Sequence, residues 1–314
     1  MSDNLLTVSP APHIRSGLTT QRIMFMVILA LLPAGVAGVY IFGLYSLKVM
    51  LVSMASCVLI EFIFLKLRNK DPKTILDGSA LLTGLLLAYN LPPEVPFWIP
   101  IVGGAVSIIL GKQIFGGLGH NIFNPALVGR VFLHISWPVY MTTWRNPRWA
   151  VDAVSTATPL AKEGRGVFSY ADLFLGNHGG CIGEVCILML LVGVAFLIFK
   201  KIISFHTPLS FIGTVMVLTW VFGGDGFFKG DFIFHLLSGG LVLGAFFMAT
   251  DYVTGPLTKT GKVVFGIGCG MLTVIIRLKG SYPEGVSYAI LFMNAMVPLI
   301  DRYTKTRTYG FIKR

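Results

Sequence analysis

The sequence predicts an all-α polytopic membrane protein of about ten transmembrane helices, in two inverted five-helix repeats with broken third helices. Three observations carry this. Of 314 residues, 54% are hydrophobic and only 12% charged, about half the charged share of an ordinary soluble domain. Several apolar runs approach the roughly 20 residues that cross a bilayer. Two short, Gly-interrupted runs hold the third place in each half, the pattern of discontinuous helices meeting near the midplane. The net charge of +11 raises nucleic acid as a partner. The basic residues, however, lie in short loops and tails, where membrane orientation puts them, so no nucleic-acid partner is expected.

Residues 1–22 are polar, include Pro10, Pro12, His13 and Arg15, and lack the layout of a removable signal peptide. They read as a cytoplasmic arm. The first repeat, 23–141, opens with Ile23–Leu44, in which Pro33 and Gly35 mark a kink. Leu47–Leu67 follows and ends in the basic loop of Lys66, Arg68, Lys70 and Lys73. Gly78–Asn90 is too short to cross unaided; Asp77 caps it and Leu91-Pro92-Pro93 closes it. Trp98–Leu110 and Asn124–Tyr140 complete this half. The second repeat, 182–302, holds Ile182–Phe199, Pro208–Phe222, the Gly-broken Leu236–Thr250, Val263–Arg277 and Val286–Ile300. Residues 303–314 form a basic cytoplasmic tail.

With the amino terminus inside, cytoplasmic Lys and Arg, Lys112 among them, outnumber those outside about two to one. Lys48, Lys229 and Arg277 fall on the outer side. Both termini are therefore expected in the cytoplasm, and the loop 142–181 outside.

That loop, roughly 40 residues long, is far above the usual connection length and rich in Trp, Arg and hydroxyl residues. It carries Asp152-Ala153-Val154-Ser155-Thr156-Ala157-Thr158-Pro159-Leu160. Small neighbours leave a threonine hydroxyl open to a modifying enzyme, and a carboxylate nearby can help position a phosphate-bound metal. A plain Asp- and Ser-rich turn fits the same stretch.

In the first half, Gly116-Gly117-Leu118-Gly119 precedes Asn121 and Asn124-Pro125-Ala126. Asn124 followed by Pro125 starts a helix, and free amides there can receive an anion or a carbonyl-rich ring. The glycines let backbone approach another group closely. Arg130, about 9 Å farther along that helix, must pair or face a cavity. Glu61 or Asp77 is its expected partner; an anionic cofactor is the other reading. Cys57, Cys181, Cys186 and Cys269 form no CxxC pair and read as buried small hydrophobes, with Cys181 placed to meet a partner.

Together these stretches resemble one family, that of the D subunit of the Rnf complex and its homologue, the B subunit of the sodium-pumping NADH:quinone oxidoreductase. Phe247-Met248-Ala249-Thr250-Asp251 and Asn294…Pro298-Leu299-Ile300-Asp301 match as well. Entry into the first span by about residue 23 favours the Rnf member, because the quinone-reductase member usually carries a longer amino-terminal extension.

The resemblance implies FMN joined through its phosphate to Thr158 by a flavin transferase acting outside the cytoplasm, with Asp152, Ser155 and Ala157 in the motif. Thr156, where the family usually has Gly, is a rival attachment point. Tyr252 stands where Pro is common. The resemblance further implies a noncovalent riboflavin between the broken helices, sought near Asp77, Thr83, Asn121, Asn124, Arg130, Thr250 and Asp251. It implies partners too: the integral A and E subunits, the flavoprotein G subunit and the soluble B and C subunits of an ion-translocating ferredoxin:NAD⁺ oxidoreductase in the cell inner membrane. Glu61, Asp77, Glu184 and Asp251 are candidates for a Na⁺ or H⁺ path. A solute channel with the same repeats is the alternative. The chain has no ferredoxin-type cysteine run and no dinucleotide fingerprint, so electrons must come from and go to partners.

Overall fold

The computed structural model describes residues 19–149, 159–160, 168–224, 226–280 and 284–305, and all regular structure among them is helical. In the first half, α1 (Thr20–Phe42) is capped by the Thr19 hydroxyl, which accepts the Arg22 N–H. It continues through Pro33 as one helix. Gly35 leaves room for the Tyr89 hydroxyl, which donates to the Leu31 carbonyl at 2.6 Å. Then come α2 (Leu44–Leu67), a 3₁₀ turn (Pro72–Asp77), α3 (Ser79–Tyr89) and α4 (Trp98–Ile108). α4 passes into a π turn, Ile109–Gln113. The predicted fifth run divides at Trp137, before Pro138, into α5 (Pro125–Ser136) and α6 (Pro138–Met141).

A short α7 (Tyr170–Leu175) lies in the segment predicted as an external loop. The second half has α8 (Ile187–Phe199), α9 (His206–Phe222), α10 (Phe232–Leu237) and α11 (Leu241–Leu243). A second π turn, Gly244–Met248, follows α11; α12 (Lys259–Lys279) and α13 (Val286–Tyr303) are the last described helices. Of the two short Gly-containing runs, the first is one continuous helix that ends at Asn90, while the second parts at Ser238–Gly240. The start expected at Ile182 moves to Ile187. Residues 181–186 form a loop whose backbone is satisfied by the end of α3: the Ile182 N–H donates to Leu91 at 3.1 Å, and the Gly183 N–H to Tyr89 at 3.1 Å. Apolar composition alone does not separate such a buried loop from the first turn of a helix.

Packing repeats between the halves. α2 packs on α4 and α4 on α5; α9 packs on α12 and α12 on α13. Contacts of α1 with α8 and of α5 with α13 join the halves. Small residues permit this. A Cβ on Gly193 of α8 would strike the Ala30 carbonyl of α1, and one on Gly266 of α12 the Ser210 hydroxyl of α9. Leu29, Val36 and Tyr40 of α1 and Leu51, Leu59 and Ile63 of α2 face outward, whereas Ser46, Ser53 and Glu61 are buried. Apolar outside and polar inside is the arrangement a bilayer demands. α1, α2 and α12 are long and apolar enough to cross one.

Candidate functional site

Two polar clusters lie where the halves meet. The first is a cavity of about 770 Å³ of empty space, mouth included, lined by Thr83, Asn121, Asn124, Thr250 and Asp251 with apolar walls that include Val27, Leu86 and Phe246. These polar residues are the ones expected to share a site, and they come from both halves. Asn124 positions the start of α5: its Oδ1 accepts the Ala126 N–H at 3.1 Å, and its Nδ2 donates to the Met248 carbonyl at 3.4 Å. With its amide oriented so that the oxygen accepts the Asn124 N–H, Asn294 donates to Thr254 and Ile290. The Asn121 Nδ2 donates to the Phe123 carbonyl at 3.2 Å, while its buried Oδ1 has no partner among the described residues. Asp251 holds its turn by accepting from the Val253 N–H at 3.3 Å and the Thr254 hydroxyl at 3.1 Å.

The run of Gly116, Gly117 and Gly119 leads into this cavity with φ of 123°, 107° and 93°. Nothing lies within 4 Å of a Cβ on Gly119. There the positive φ favours glycine in a left-handed turn.

Asp77 and Arg130 do not line the cavity. The N-cap of α3 is Gly78 rather than the expected Asp77, whose Oδ1 accepts the Ser79 N–H at 2.7 Å from the end of the 3₁₀ turn. Glu61, the other expected partner of Arg130, is taken by Lys112, at 2.6 Å. Lys112, expected in a cytoplasmic loop, is 2% exposed, because the π turn folds it inward against Glu61 and the Ser79 hydroxyl, also at 2.6 Å. It lines the cavity. The apolar run resuming at Ile114-Phe115 was the sequence signal that the helix continues past Gly111.

The second cluster surrounds Arg130. It pairs with Glu284 and donates to the Asn90 Oδ1 at 2.6 Å and the Ser287 hydroxyl at 2.8 Å. No periodic signal marked Glu284, which sits in the α12–α13 connection. Arg277, expected outside, is buried at the end of α12 and donates to the carbonyls of His235 and Ser238. Glu184 and Cys181 complete the cluster. Cys57, Cys181, Cys186 and Cys269 are all free and buried; Cys181, expected to face a partner, is fully enclosed instead.

Asp152, Ser155, Thr156, Ala157 and Thr158 lie outside the described residues. The motif's next residues are described: Leu160 packs with Leu173 and Phe234, beside Gly239 of the second broken helix.

The chain is 48% identical over 322 residues to the D subunit of the proton-translocating ferredoxin:NAD(+) oxidoreductase complex of Clostridium ljungdahlii, covering 98% of this chain and 97% of the relative. It is 48% identical over 319 residues to the D subunit of the Na(+)-translocating ferredoxin:NAD(+) oxidoreductase complex of Acetobacterium woodii, covering 100% and 98%. The D subunit of the ion-translocating oxidoreductase complex of Stutzerimonas stutzeri is 41% identical, over 93% of this chain and 92% of the relative. Residues 7–310 match the sequence pattern of the NQR2, RnfD, RnfE family, and with these relatives alongside, this membrane-embedded chain belongs to that family.

Proposed function

We propose that this chain is the flavin-carrying D subunit of an ion-translocating ferredoxin:NAD⁺ oxidoreductase, bearing FMN on Thr158 and riboflavin in the cavity between the broken helices. The observation that carries this is the meeting of Thr83, Asn121 and Asn124 from one half with Thr250 and Asp251 from the other on one apolar-walled cavity. The residues fit an isoalloxazine ring. The unpartnered Asn121 oxygen suits a ring or ribityl donor, and the apolar walls suit its faces. Flavin supplies electron transfer one electron at a time; the protein supplies binding, orientation and charge. Lys112, held by Glu61 and Ser79, places a cation at the cavity wall that favours an anionic occupant.

The recurring packing supports two inverted five-helix halves, and the excess of Lys and Arg in the expected inner loops supports both termini cytoplasmic and residues 142–181 outside. Trp98, Trp137 and Tyr140 cluster edge to face, as an aromatic anchor at a bilayer surface does. The family resemblance supplies the partners: the soluble B and C subunits, the flavoprotein G subunit and the integral A and E subunits would receive or deliver its electrons. The coupling ion is H⁺ or Na⁺, and the two relatives of equal identity are named for different ones. The quinone-reductase B-type reading differs in its electron acceptor.

Co-produced with a flavin transferase, the chain should fluoresce under ultraviolet light on a denaturing gel. Thr158→Val should be dark and Thr156→Val bright. Fluorescence retained in Thr158→Val would move the attachment elsewhere, and a dark wild-type band would favour the channel.

A further inference from the structure

The second cluster has a feature that ion pairing leaves unexplained. Glu184 is 4% exposed, and one of its oxygens, Oε1, accepts the Cys181 N–H at 3.1 Å. Among the described residues its Oε2 has no donor, and neither does the Oε1 of Glu284. Ligand atoms of Glu184, Glu284 and Cys181 lie within 4.8 Å of one another. The guanidiniums do not fill the gap. Arg130 spends its N–H groups on Asn90, Ser287 and the other oxygen of Glu284. Arg277 spends its terminal groups on the carbonyls of His235 and Ser238. The Cys181 thiol donates to the Asn90 carbonyl at 3.4 Å.

Room for the pair is made by the break in the second half. A Cβ on Gly240 would sit 2.8 Å from the Glu184 Oε2, and one on Gly239 would meet Leu160 at 2.7 Å and Arg277 at 3.3 Å. Two largely buried carboxyl groups with oxygens within 4.8 Å of each other and two oxygens lacking a donor among the described residues are satisfied by one hydrogen between them, whereas leaving both bare costs the full desolvation of each.

We propose that Glu184 and Glu284 hold a proton between them, a buried proton-binding site at the meeting of the two halves. Arg130 and His134 of α5, Arg277 of α12 and Cys181 on the same loop as Glu184 are the other titratable or charged groups that face it. It sits beside Leu160, two residues beyond Thr158, and next to the Asn90–Arg130 contact. The site stands on the carboxyl geometry and is independent of whether flavin is bound.

Infrared difference spectra of the purified full chain in lipid nanodiscs, recorded between acid and alkaline pH, test it. The wild type should show the carbonyl stretch of a protonated carboxyl, moved by exchange into ²H₂O. The band should vanish in Glu184→Gln, change position in Glu284→Gln and persist in Asp251→Asn. Should Glu184→Gln fail to fold, Glu184→Asp keeps the proton and moves the band. A wild type without the band, or one identical to both Gln variants, would overturn the assignment.

Discussion

Lys112 shows how much one residue's environment changes its meaning. In the sequence it is a cation between an apolar run and a Gly-rich turn, and it counts as cytoplasmic. In the structure it is buried against Glu61, with Gln113 donating to the same carboxylate oxygen at 2.7 Å. Removing one member of such a pair leaves a buried charge uncompensated, a loss of about 3–5 kcal/mol. Lys112→Met should therefore unfold at markedly lower temperature in a detergent melt, and Glu61→Gln combined with Lys112→Met should recover most of the loss. Equal melting of the single and double variants would show that the pair is not coupled. Arg130 was legible as a cation needing a partner, but the partner was not. Glu284 lies 154 residues away, and no spacing rule connects a helix interior with a distant turn.

At the scale of elements, boundaries set by local chemistry were legible and those set by tertiary contact were not. Asn124-Pro125 starts α5 as expected, since an amide cap and a ring with fixed φ act within one turn. The stretch from Ile182 reads as the start of an apolar helix, yet the Ile182 and Gly183 amides are spent on Leu91 and Tyr89. Helix contacts supply a sharper test. Gly193 packs against the Ala30 carbonyl, whereas a Cβ on Gly213 of α9 meets nothing within 4 Å. Gly193→Val should lower the melting temperature and loosen α1 from α8. Gly213→Ala should leave it unchanged or raise it by the helix-propensity gain of about 1 kcal/mol. Similar effects from both would refute the packing described here.

For the whole molecule, the apolar character was visible in composition, and the break at Ser238–Gly240 in glycine placement. The convergence of Thr83, Asn121, Asn124, Thr250 and Asp251 was reached through the family resemblance and by position. The Glu184–Glu284–Arg277 cluster was not legible, because it depends on how the halves dock. The proposed orientation makes its own prediction. In a background with the native cysteines replaced, Ala161→Cys should react with an impermeant maleimide in intact cells, and Lys70→Cys only after permeabilisation. The reverse pattern would invert the topology.

The proposed electron-carrying role rests on a proposed covalent flavin on Thr158. The decisive check is tandem mass spectrometry of the tryptic peptide 149–162, from chain co-produced with a flavin transferase. A peptide heavier by one FMN moiety is expected, with fragment ions placing it on Thr158. An unmodified peptide under those conditions would remove the basis for electron transfer through this chain.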